Sequence, residues 1–218
     1  MQKKIMKNLF YIAGILIAIL CSCNSTKIAT SWKAENYSAP KFKHIMVWGI
    51  LTAQDSTLRQ KIEHHMADDL KTYGYDAVTS MDIYGSKAFD KMEEPTVINQ
   101  FKNSGVDAVI TIVLLNKTKE LEYQPAAIIY KPIPEYQYME KYYSSEYVKI
   151  YTPGYYSTNT KYYWESHLYD IKKGQLAYVV QTNSFNPSSR ERLAHENGQL
   201  ILKDMSKKIL LKNLAPED

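Results

Sequence analysis

The stretch Gly105-Val106-Asp107-Ala108-Val109-Ile110-Thr111-Ile112-Val113-Leu114-Leu115 decides the fold. From Asp107 to Leu115 it is the most apolar, β-branched run in the chain, the pattern of a central strand covered on both faces. Outward from it, Ile45 to Ile50 is a second near-continuous apolar run of strand length. Between the two, residues 55 to 73 carry Leu58, Ile62, Met66, Leu70 and Tyr73 at helical spacing, and Gly74 stands where a left-handed C-cap is expected. Tyr75 to Ser80 reads as another strand, and Val97 to Phe101 as part of a short helix ending near Gly105. The order β-α-β-α-β predicts an α/β core with parallel pairing and right-handed crossovers.

Downstream the composition changes. Thirteen of the nineteen tyrosines fall between Tyr123 and Tyr169, and Pro125, Pro132, Pro134 and Pro153 forbid a long helix there. Residues 123 to 160 are therefore expected to be an extended, Tyr-rich insertion. Lys161 to Tyr169 alternates, with Tyr162, Trp164 and Leu168 on one face and Tyr163, Glu165, His167 and Tyr169 on the other. It is expected to pair with Leu176 to Gln181 as an antiparallel hairpin whose loop uses Gly174. A last helix follows, with Ser188 and Glu191 at capping-box spacing, Ala194, Ile201, Met205 and Ile209 facing the core, and Gly198 tolerated only where close packing needs it.

The N-terminus carries an address. Lys3, Lys4 and Lys7 precede the uncharged apolar run Leu9 to Leu20, which is short for a spanning helix and right for an export signal. Leu20-Cys21-Ser22-Cys23 resembles the bacterial lipobox, with Leu three residues before Cys23 and small Ser22 before the cut. That resemblance implies lipidation of Cys23 and membrane attachment through its acyl chains, and Asn24 at the next position fits sorting to the outer membrane, periplasmic face. The expected organisation is a signal at 1–22, a tether at 23–39 with a short strand at Ile28 to Trp32, and one α/β domain at 40–218. With 22 of 218 residues removed, 196 remain. The formal charge of +4 then shrinks to 24 basic against 23 acidic residues, which excludes an electrostatic footprint for DNA, RNA or anionic lipid. No thiol remains for a disulfide, a nucleophile or a metal.

The lipobox, the strand at His44 to Ile50, the Arg59-to-Gly74 helix, the turn Gly105-Val106-Asp107-Ala108-Val109 and the Tyr169-Asp170 hairpin together resemble a group of small Gram-negative envelope lipoproteins. Their core is similar to the N-terminal domain of the Tol-system periplasmic protein and to outer-membrane lipoprotein activators of penicillin-binding proteins. The resemblance implies a partner-binding role and brings no catalytic residues. The sequence itself holds no phosphate loop, nucleophile elbow or H-E-x-x-H motif, so no enzyme activity, cofactor or metal is expected. The densest chemistry is Glu63-His64-His65-Met66-Ala67-Asp68-Asp69, where His64 with Asp68 and His65 with Asp69 have i,i+4 spacing able to place two ligands on a metal. The favoured reading is the solvated flank of a helix whose core stripe is Ile62, Met66 and Leu70; a periplasmic metal-binding protein or enzyme using His64 to Asp69 is the alternative. The tyrosines are either two-sided strand residues or a contact surface, with Tyr142, Tyr143, Tyr155 and Tyr156 as the candidate contacts for an envelope protein or cell-wall polymer.

Overall fold

The computed structural model describes residues 25–87, 89, 94–132 and 147–214. In chain order the elements are β1 (Thr26–Lys33), β2 (His44–Ile50), α1 (Ser56–Thr72), β3 (Asp76–Thr79), α2 (Ser80–Tyr84), α3 (Glu94–Asn103), β4 (Ala108–Gln124), β5 (Ala127–Pro132), β6 (Tyr147–Thr152), β7 (Tyr155–Asp170), β8 (Gln175–Phe185) and α4 (Arg190–Lys207). The chain divides into two compact units, residues 1–117 with 162–218, and residues Thr118–Lys161.

The first unit is the expected α/β core. One six-stranded sheet has the order β1-β8-β7-β4-β2-β3. β2 pairs in parallel with β3 on one side and with β4 on the other. Ile45 and Val47 of β2 and Ile110 and Ile112 of β4 face the larger core, whereas Met46 and Val109 face a smaller one. Both strands are thus apolar on both sides, which explains their unbroken runs. β7 and β8 are joined by a tight turn with Gly174 at φ 62, the hairpin expected from Lys161 to Gln181.

β4 and β7 are neighbours in antiparallel sense. The Ile171 N–H donates to the Asp107 carbonyl at 2.9 Å, and Thr111 meets His167, so partner numbers fall as β4 advances. The turn motif around Asp107 is a structural knot. One carboxylate oxygen accepts the backbone N–H groups of Lys43 and His44 at 2.8 and 3.1 Å, and the other pairs with Lys172 at 2.5 Å. One side chain thereby holds the start of β2, the start of β4 and the β7–β8 turn. Partial burial raises the Asp107 pKa, but the bonds from Lys172, His44 and Lys43 outweigh it and hold the carboxyl below its usual range.

The larger core lies under α1 and α4. Leu58, Ile62, Met66 and Leu70 of α1 are buried as their spacing predicts. Gly198 of α4 faces α1, but a Cβ there would lie 3.4 Å from Asp69 Oδ2 and 3.9 Å from the Met66 backbone, ordinary contact distances, so helix packing does not require that glycine. Three details of the sequence reading are corrected. The α4 cap is Ser189, whose side chain accepts the Arg192 N–H, rather than Ser188. Ile209 is 65% exposed because the helix has ended and the chain turns through φ 60, leaving Leu210 and Leu211 to enter the core. The stretch expected to be a tether holds a full edge strand, Thr26–Lys33, paired antiparallel with β8 through a bulge between Ile28 and Thr30. Behind it Tyr37 and Phe42 are buried.

The described part of the second unit is built from strands. Besides the outer parts of β4 and β7 it contains the antiparallel ribbon β5–β6, in register from Ala127 opposite Thr152 to Pro132 opposite Tyr147. Glu122 accepts from Asn159 at 2.6 Å, and Glu120 pairs with Lys161 at 2.7 Å. Prolines 125, 132 and 153 lie at or beside strand ends, where a missing N–H is tolerated.

Candidate functional site

A half-open cleft of about 820 Å³ lies on the face of the first unit's sheet opposite α1 and α4. β2 supplies Trp48, β4 supplies Thr111 and Val113, β7 supplies His167 and Tyr169, and α3 closes one side with Ile98, Phe101 and Lys102. Alternation along each strand delivers these side chains to one face. The Trp48 ring packs against Phe89 at 4.8 Å and Phe101 at 5.5 Å, giving the cleft a rigid aromatic end. Volume, apolar lining and a few convergent polar groups are those of a ligand site.

A polar chain crosses its floor. His167 lies between Glu165 and Thr111, with Nε2 3.0 Å from Glu165 Oε1 and Nδ1 3.0 Å from Thr111 Oγ1. A carboxylate only accepts, so in the neutral ring Nε2 carries the proton, and Nδ1 accepts from the Thr111 hydroxyl. Gln181 completes the line by donating to Glu165 Oε2 at 2.7 Å. Hydroxyl, imidazole and carboxylate stand in the order used by nucleophilic hydrolases. The backbone around Thr111 is taken up by the sheet. Thr111 is 4% exposed in mid-strand, registered with Trp48 of β2 and flanked by β7, so the ladder occupies the neighbouring amides that an oxyanion hole would need. The chain is suited to orienting a bound polar group.

The residues Glu63 to Asp69 separate in space. Glu63 is fully buried and accepts from Gly49 N at 2.9 Å, Met81 N at 2.9 Å, Ser80 Oγ at 3.0 Å and Arg59 Nε at 2.9 Å, fastening α1 to the ends of β2 and β3. His64 and Asp68 do not pair. The His64 ring nitrogens contact the Gln60 carbonyl and Asp82, and Asp68 binds Lys71. His65 points toward α4, its ring 5.9 Å from that of His195. Burial pushes the nearby Asp69 carboxyl up against the pull of His195 and His65, and its Oδ2 has no hydrogen-bond partner. Among the described residues no three His, Cys, Asp or Glu side chains are grouped to hold a metal ion.

Cys23, Tyr142 and Tyr143 lie outside the described residues. Tyr155 and Tyr156 belong to the second unit and are 57% and 70% exposed; the Tyr156 ring packs 5.2 Å from that of Tyr123. The alternation of β7 places Glu165 and His167 on one strand face, as the sequence predicts. Only the β4–β7 register, which joins distant segments, brings Thr111 to His167.

No family model matches the chain, and no curated protein matches it. Among solved structures it is similar to the PelC dodecamer from Paraburkholderia phytofirmans, with a TM-score of 0.42 and 11% identity over 83% of this chain and 95% of that one. It is similar, at the same score and identity, to the lipoprotein GNA1162 from Neisseria meningitidis over 76% of this chain and 99% of that one. A PDZ domain protein from Parabacteroides distasonis matches with a TM-score of 0.36 and 9% identity over 83% of this chain and 36% of its own.

Proposed function

We propose that this chain is a lipid-anchored envelope protein, attached through Cys23 to the periplasmic face of the outer membrane, that works by binding and not by catalysis. The observation that carries the binding half is the open aromatic cleft with a hydrogen-bonded floor. The ligand it suits is an apolar segment bearing a hydrogen-bonding group, as an envelope protein presents. The exposed Tyr155 and Tyr156 offer a second contact area. The anchoring half rests on Leu20-Cys21-Ser22-Cys23.

A photo-crosslinking residue placed at Ile98, 40% exposed on the cleft rim, tests the binding half in living cells. A discrete adduct is expected from position 98 and none from Lys203, exposed on α4. Equal, diffuse labelling from both positions overturns the binding assignment. Intact-mass analysis of the membrane fraction tests the anchor, and an unmodified Cys23 overturns it.

A further inference from the structure

The first described residue is already clamped. Ser25 donates its N–H and its hydroxyl to Glu196 Oε2 at 2.9 and 2.8 Å, and its carbonyl accepts the Phe185 N–H at 2.8 Å. Thr26 Oγ1 lies 2.8 Å from Ser184 Oγ, and Arg192 holds the other Glu196 oxygen at 2.6 Å. The chain therefore has no slack from Ser25 onward. Only Asn24 separates Ser25 from Cys23, so two peptide links join anchor to fold, a span of at most about 7 Å between Cα atoms. A flexible tether long enough to let the domain swing clear of a membrane would need several times that length.

We propose that the corner where β8 meets α4 rests directly on the lipid headgroups of the membrane that holds Cys23. This deepens the anchoring half of the proposed function and rests on it. The corner is chemically suited. Phe185 is 48% exposed, and Asn186, Ser188 and Arg190 around it are exposed as well. An aromatic ring and a guanidinium are groups that favour the headgroup layer, the ring by its amphipathic depth and the guanidinium by pairing with a headgroup phosphate. The β7–β8 turn lies at the other end of β8, eleven residues away and about 33 Å along the strand.

The test uses the mature lipoprotein extracted from membranes and placed in vesicles of phosphatidylethanolamine and phosphatidylglycerol. With Cys21 removed and Cys23 acylated, a Ser188→Cys substitution supplies the only free thiol for a spin label. The label should be reached by oxygen, which concentrates in lipid, at least 3-fold more readily than by a water-soluble nickel complex. Inserting fifteen Gly and Ser residues between Asn24 and Ser25 should reverse that preference while the mass that acylation adds at Cys23 stays the same. A water-exposed label on a protein whose mass shows an acylated Cys23 overturns the docking proposal and leaves the anchor standing. An unmodified Cys23 overturns the anchor itself, and the docking with it.

Discussion

One strand, β7, builds two unlike surfaces from alternate residues. Trp164, Ser166, Leu168 and Asp170 are each 1% exposed or less. Glu165, His167 and Tyr169 between them are only partly covered, and His167 and Tyr169 open on the cleft. The backbone is the same, so the difference lies in what each face is packed against. On the first, Trp164 and Leu168 share the large core with α1 and α4, where volume and shape decide. The second opens on the cleft, where His167 is held in a hydrogen-bonded line between Glu165 and Thr111. The two faces should answer to mutation in different currencies, stability on one and binding on the other.

The largest effect is expected at Glu63, where the sealed face is fastened. Glu63→Ala strands the Arg59 Nε–H and two backbone N–H groups, and loss of one partner of a buried ion pair costs about 3–5 kcal/mol. Urea unfolding measures it. A loss under about 1 kcal/mol would mean that α1 is held by its apolar stripe alone.

Adjacent residues of β7 give the sharpest contrast. Leu168→Ala, at 0% exposure, should cost about 3 kcal/mol from lost transfer energy and the cavity left behind. His167→Ala removes two hydrogen bonds from a partly solvated line and should cost about 1 kcal/mol. It should nevertheless abolish the adduct formed from position 98, whereas Leu168→Ala should spare it wherever the protein stays folded. Equal costs at the two positions would erase the distinction between the faces.

Much of this contrast is legible in the sequence. The alternation of Tyr163 to Tyr169 assigns the two β7 faces, and the apolar runs of β2 and β4 announce burial on both sides, because local periodicity reports local environment. Glu63 was not legible. A carboxylate beside two histidines reads as a solvated flank, and only the approach of Gly49, Ser80 and Met81 from other elements makes it a buried hub. The Thr111–His167 contact was hidden for the same reason, since it depends on register between segments more than fifty residues apart in sequence. At the N-terminus, Ile28 to Trp32 showed strand character, but the sequence held no sign that Glu196 waits for Ser25.

Asp107 decides whether the two faces are independent. Its carboxylate ties β2, β4 and the β7–β8 turn together below both surfaces, so Asp107→Ala should loosen core and cleft alike, at about 2 kcal/mol for the orphaned Lys43 and His44 N–H groups. The cost should depend on pH in one direction. Because the folded state holds this carboxyl below its usual range, it binds a proton less tightly than the unfolded chain does, and the stabilisation is complete above the unfolded value, near 3.8. As pH falls through the lower folded value, protonation removes the charge that Lys172 and the two amides recognise. The gap between wild type and Asp107→Ala, measured by thermal melting, should stay constant from pH 8 to about pH 5 and narrow below pH 4. A gap that widens with acid would show that the Asp107 carboxyl titrates above, not below, its unfolded value. A variant that weakens the fold but leaves the adduct from position 98 intact would show that the cleft is built by α3 and β2 without help from the β7–β8 turn.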